Sequence, residues 1–305
     1  MKIKTFIWLV AMALLWGPAF LFIKVVVEEV PPFTLVTARV GLAGIVLYFI
    51  LLAQGGRLPK LGPIWKHFVI VGLLYSALPY VLLSWGEQYI NSALAAILIG
   101  TVPLFTALLS HLFTTSEQLT PAKTTGILVG LGGLLLLLAP ALLAGVQATT
   151  WGLVAAIVAA ASYAGAVVYS KHHLHGLPPL VAPTAQLLTA SIILLPLSLI
   201  VERPWTLSMP SWPVAGSFLT LSILCTAIVF VVYYRAMESI DAINLSMVTY
   251  LIPIVATILG VMVLNERLGG HTILGSILIF VSMMMVNGVF RATGRPRLRS
   301  AAVRS

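Results

Sequence analysis

From Thr5 onward the chain is a succession of apolar stretches, each about 20 residues long and separated by short polar breaks. A helix of that length crosses the hydrocarbon core of a bilayer with its backbone amides and carbonyls bonded internally, which lipid-exposed irregular chain cannot do. Ten stretches are read, at about residues 5–27, 33–53, 66–86, 92–113, 122–140, 151–170, 180–200, 212–234, 242–263 and 271–290. With 60% apolar residues, 8% charged residues and a mean hydropathy of +1.08, the chain would aggregate in water. The first stretch follows Lys2 and Lys4 like a signal peptide, but its apolar run is too long and nine more follow, so it reads as an uncleaved helix.

The net charge of +9 is unevenly placed. Ten spans put both termini on one side. That side collects thirteen lysines and arginines, including Arg57, Lys123, Lys171, Arg235 and the tail from Arg291, against Lys24, Arg203 and Arg267 on the other. The excess predicts cytoplasmic termini in a plasma (inner) membrane protein. The basic tail, residues 291–305, reads as a topology anchor on anionic lipid, with no nucleic-acid partner expected. Cys225 is the only cysteine, so no internal disulfide forms, and no cofactor or metal is expected.

A weak repeat runs through the chain. "KVVVEEVPP" at residues 24–32 returns as "KHHLHGLPP" at residues 171–179, and at the same offset of 147 Thr37-Ala38-Arg39 meets Thr184-Ala185-Gln186. Later the offset becomes 150, matching Pro103 to Pro253, then 149, matching Glu117 to Glu266 and Gly126 to Gly275. Because five spans repeat, the second copy must enter the membrane from the opposite face. The expected fold is therefore an all-α integral membrane protein of ten transmembrane helices, arranged as two inverted five-helix repeats around a central cavity. The repeats are residues 5–140 and 151–290, and the site is expected between them.

With "WGPAFLFIK" from Trp16, an arginine early in the second span (Arg39), and the "P…E.L" endings at Pro103 to Leu119 and Pro253 to Leu268, the chain resembles the EamA type of the drug/metabolite transporter superfamily. The resemblance covers about residues 5–290 and implies that spans 1, 3, 4, 6, 8 and 9 enclose a cavity while spans 5 and 10 lie behind it. One departure is Gly86-Glu87-Gln88, where the family usually has a small-residue pair at a neutral rim.

Candidate site residues follow from the cost of polar groups in lipid. Pro103 and Pro253 each remove a helical amide bond, which marks bends or hinges where polar backbone faces a pathway. Arg39 is the one clear charge within a span; it either snorkels, anchors carbonyls or grips a substrate carboxylate. Trp16, Phe20, Tyr80, Trp85, Tyr163, Tyr233 and Tyr250 fall on the implied cavity spans, and Ser92, Asn244 and Ser246 add hydrogen-bonding groups. Trp85 and Tyr233 read equally as interfacial belt residues. Lys24 and Lys171 either attract anions to a vestibule at each face or snorkel as helix-end residues, and Glu117 and Glu266 read as caps at the starts of spans 5 and 10. His172, His173 and His175 lack the carboxylate or cysteine partners a metal site needs.

These features predict a secondary transporter, not an enzyme, that exports amino acids or related amphipathic metabolites by alternating access. Its partners are a small-molecule substrate and the lipid bilayer, as a monomer or homodimer. A channel or lipid-translocating protein is the alternative, and a membrane-embedded enzyme is disfavoured by the lack of HExxH, GxSxG and P-loop motifs. No carboxylate lies at midplane, so a buried acid relay for proton coupling is not expected.

Overall fold

The computed structural model describes residues 3–113, 120–174, 176–239, 245 and 247–287, with the side chains of residues 4, 238 and 239 outside that description. Glu117, His175, Asn244, Ser246 and the basic tail lie outside it too. The described secondary structure is helical throughout. Eight helices are long and apolar enough to span a membrane: α1 (Thr5–Val26), α2 (Pro32–Ala53), α3 (Trp65–Gly86), α4 (Ser92–Phe113), α5 (Pro121–Leu143), α6 (Ala148–His173), α7 (Val181–Glu202) and α8 (Trp212–Met237). Two shorter apolar helices follow, α9 (Val248–Leu264) and α10 (Gly270–Val286). At 17 residues each, these rise about 25 Å, close to the thickness of the hydrocarbon core.

The packing shows the inversion residue by residue. A Cβ built on Gly41 of α2 would lie 2.8 Å from Ser191 Oγ of α7, and one on Gly44 would meet Leu188 Cδ2 at 2.9 Å. Shifting either contact by the repeat offset of 147 produces the other. The α5 and α10 pair behaves likewise: Gly133 packs on the Gly275 carbonyl, and the contact that mirrors it at offset 149 is Ser282 donating to the Gly126 carbonyl. In both pairs the residue numbers rise on one helix as they fall on the other, so the partners run antiparallel. That direction is what two halves entering from opposite faces require. Other neighbours obey the same exchange: α3 packs on α6 as α8 packs on α1, α4 on α6 as α9 on α1, and α4 on α9.

Small residues set these distances, since the bilayer supplies no hydrophobic force between helices and close backbone approach must. Gly86 and Gly152 bring the end of α3 against the start of α6, where a Cβ on either would meet the other's carbonyl oxygen at 3.0 Å. Gly17 interrupts α1 ahead of Pro18 and admits Val255 of α9, whose Cγ1 would lie 2.6 Å from an added Cβ. α4 is interrupted at Gly100-Thr101, just before Pro103, and Gly100 faces the Pro253 ring of α9. The interruption of α4 therefore meets α9 at Pro253.

Candidate functional site

Two π-helical turns shape the middle of the molecule. Gly72–Ala77 in α3 and Ile223–Ile228 in α8 occupy corresponding places in the two halves, and each widens its helix by one residue. In α8 the wide turn leaves Thr226 able to bond the Leu221 carbonyl five residues back, at 2.8 Å. Its hydroxyl oxygen also accepts a hydrogen bond from Arg39 Nε at 2.9 Å, which ties α2 to α8.

Arg39 is 4% exposed and points inward, which corrects the snorkelling reading: the Thr226 oxygen and the Tyr80 ring hold its guanidinium inside the bundle. Its guanidinium carbon stands 4.1 Å from the centroid of the Tyr80 ring, a cation–π contact. Among the described residues no carboxylate pairs with it, and Nε to Thr226 is its one hydrogen bond. A guanidinium has five N–H groups, so most of its donor capacity is unfilled by protein.

From Tyr80 a chain of rings crosses the molecule. Tyr80 and Tyr163 have centroids 6.3 Å apart, Tyr163 and Tyr75 5.1 Å, and Tyr75 and Phe230 6.2 Å. Phe230 then meets Trp16 at 6.5 Å, and Trp16 meets Tyr233 at 5.6 Å. Helices α1, α3, α6 and α8 all contribute, so both halves build the cluster. Sequence reasoning named Trp16, Tyr80, Tyr163 and Tyr233 but missed Tyr75, Phe230 and Thr226. Tyr75 and Thr226 lie within the π-helical turns, and a strict 3.6-residue period assigns such residues to the wrong face.

Other candidates lie elsewhere. Phe20 is buried among Leu83, Ile97 and their neighbours in the adjoining core. Trp85 stands edge-on to exposed Tyr89, 5.3 Å away, at the end of α3. Tyr250 was expected to seek substrate or water with its hydroxyl. Instead it donates to the Met283 carbonyl at 3.0 Å and accepts from Asn287 Nδ2 at 2.7 Å, facing α10. His173 stacks on Tyr169 and His67, with centroids 4.1 and 4.8 Å away, and His67 Nδ1 lies 2.8 Å from the Tyr169 hydroxyl.

The end of the molecule where α1 and α3 finish is knitted by charged groups. Lys24 does not snorkel: its ammonium donates to the carbonyls of Glu87 and, at 3.0 Å, Ile90, because the end of α3 offers it unbonded carbonyls. Glu266 does not cap α10. Asn265 adopts a left-handed conformation that reverses the chain after α9, and the Glu266 carboxylate then accepts the amides of Ser92 and Ala93 at 2.7 and 3.1 Å, capping α4. Glu202 likewise accepts the amides of Phe33 and Thr34 at the start of α2, at 2.9 and 2.6 Å. Glu29 accepts the amide and hydroxyl of Ser211 before α8, and those two bonds hold its carboxyl below the usual range. Each carboxylate joins one half to a helix start in the other.

Two cavities flank the bundle. One, of about 380 Å³, lies between α9 and α10 against Pro253, Ile254, Ile258, Ile273 and Ile277. The other, of about 350 Å³, lies between α2 and α8 against Val30, Ala38, Val214 and Phe218. Their walls are almost wholly apolar and suit lipid chains better than a metabolite.

The EamA-like transporter family profile matches this chain twice, over residues 3–139 and 150–288. The chain belongs to that family. Its relatives include the uncharacterized transporter YoaV of Bacillus subtilis, 28% identical over 93% of this chain and 96% of YoaV. The uncharacterized inner membrane transporter YedA of Escherichia coli K12 is 28% identical over 94% and 92%. Protein PecM of Dickeya dadantii is 25% identical over 93% and 92%. A crystal structure 21% identical in sequence matches 94% of this chain and 99% of its own with a TM-score of 0.66, a likeness of fold. An EamA-type chain of ten helices is a multi-pass membrane transporter, and the ring chain with Arg39 lies where its two repeats meet.

Proposed function

We propose that this transporter exports a small amphipathic carboxylate, amino acids included, across the plasma membrane by alternating access. Arg39 carries the reading. A buried guanidinium without a protein carboxylate is costly, and a substrate carboxylate gripped by its free N–H groups offsets that cost. The rings of Tyr80, Tyr163, Tyr75 and Trp16 offer apolar area for the rest of the substrate. Pro103 and Pro253 act as hinges, because the interruption of α4 and the Pro253 ring of α9 face each other across the two halves. The excess of lysine and arginine on the side of the termini supports an orientation with both termini in the cytoplasm and the Lys24 end outside.

Proteoliposomes loaded with radiolabelled amino acids should release them faster than protein-free vesicles. Arg39→Lys keeps the charge but loses the planar fork, and should slow release at least about tenfold. Release of carboxylates unchanged by both Arg39→Lys and Tyr80→Ala would sink the site.

A further inference from the structure

Glu87 follows immediately on α3, and its side chain is fully buried. Neither carboxyl oxygen has a hydrogen-bond partner. The position is hostile to negative charge for a second reason, since the end of a helix presents carbonyl oxygens and the negative pole of its dipole.

Neighbouring charges do not restore the ionised form. Lys24 of α1 exerts the strongest favourable pull on the carboxyl, but its ammonium is bonded to the backbone carbonyls of Glu87 and Ile90. Arg39 of α2 pulls less, with its Nε on Thr226. Glu266, beyond α9, is fixed on the α4 amides and repels a second negative charge. From α6, Gly152 and Ala155 pack against Gly86 and bring no charge. Burial therefore dominates and raises the Glu87 carboxyl well above the carboxylate range, against the pull of Lys24 and Arg39.

We propose that Glu87 is a proton-binding site tied to closure of the Lys24 end of the transporter. While Lys24 holds the α3 carbonyls, Glu87 keeps its proton. When the ends of α1 and α3 part, water reaches the carboxyl, the proton passes from oxygen to water, and the released ammonium faces the new carboxylate. The sign follows from the raised value: closure takes up a proton, so acid favours the closed end and alkali the open one. This rests on the alternating-access reading but needs no substrate to test.

The test uses purified full-length protein with Cys225→Ser and one new cysteine at Ser84, a buried residue one turn inside Glu87. Its rate of modification by a hydrophilic methanethiosulfonate is taken relative to Ser208→Cys, on the exposed loop beside α8, from about pH 5 to pH 9. The ratio should rise with pH, by up to about tenfold per unit. Glu87→Gln should flatten it, and Glu87→Asp should keep a titration with a moved midpoint, which carries the test should the glutamine variant not fold. A flat ratio in the parent, or the same profile in both variants, overturns the proposal. Loss of carboxylate flux with the profile intact would count against the transport reading and leave Glu87 in place.

Discussion

Gly133 of α5 and Gly275 of α10 approach so closely that a Cβ on either would meet the other's carbonyl oxygen, at 2.8 and 3.0 Å. Backbone on both sides leaves nothing flexible to yield. Gly133→Ala and Gly275→Ala should each destabilise the protein by about 1–3 kcal/mol, read as a lower midpoint in thermal unfolding in detergent. Gly132→Ala, with open space around it, should be neutral and serves as the control.

Thr226 gives Arg39 its one hydrogen bond among the described residues and is fully buried. Thr226→Val keeps the shape, removes the acceptor and frees Nε to drift. We expect KM for the transported carboxylate to rise by about three- to thirtyfold, corresponding to about 1–2 kcal/mol, with little change in thermal midpoint. An unchanged KM would mean that Thr226 does not position Arg39.

Glu202 and Glu266 cap α2 and α4 from the opposite half. Removing either carboxylate, as in Glu202→Ala or Glu266→Ala, should cost about 1–2 kcal/mol of stability. Glu266→Ala should also change the transport rate, because α4 and α9 carry Pro103 and Pro253. Equal transport in both variants would detach the Glu266 cap from the conformational cycle.

The Glu29 carboxyl is held low by Ser211, so the stability it contributes is present above the unfolded carboxylate value and lost as pH falls through the folded one. Ser211→Ala should therefore narrow the difference in thermal midpoint between neutral and acid pH. A parent and variant with identical pH profiles would contradict this.

Tyr250→Phe removes the hydroxyl shared by Met283 and Asn287. The expected result is a loss of about 1 kcal/mol in stability with KM unaltered. A changed KM would restore Tyr250 to the substrate site that its place in the sequence suggests.

How much was legible in the sequence depended on how far each signal outruns local geometry. Ten apolar runs and a half-chain offset are properties of long windows, so the spans, the repeat and its inversion could be read directly. Arg39 stood out because charge within a span is costly. Its partner did not: Thr226 reaches it from a widened turn, and no period in the sequence marks where a helix takes up an extra residue. Glu266 was recognised as a cap, but the left-handed turn at Asn265 that aims it at α4 instead of α10 is a single dihedral choice. Glu87 looked like a rim charge, since nothing local shows that the ends of α1, α3 and α6 close over it.

The mirrored contacts at Gly133 with Gly275 and Ser282 with Gly126 have a consequence for assembly. α5 and α10 meet through corresponding surfaces, each turned upside down against the other. One five-helix unit thus already contains the information for this seam, and a second copy inserted in the reverse orientation would present the shape it needs.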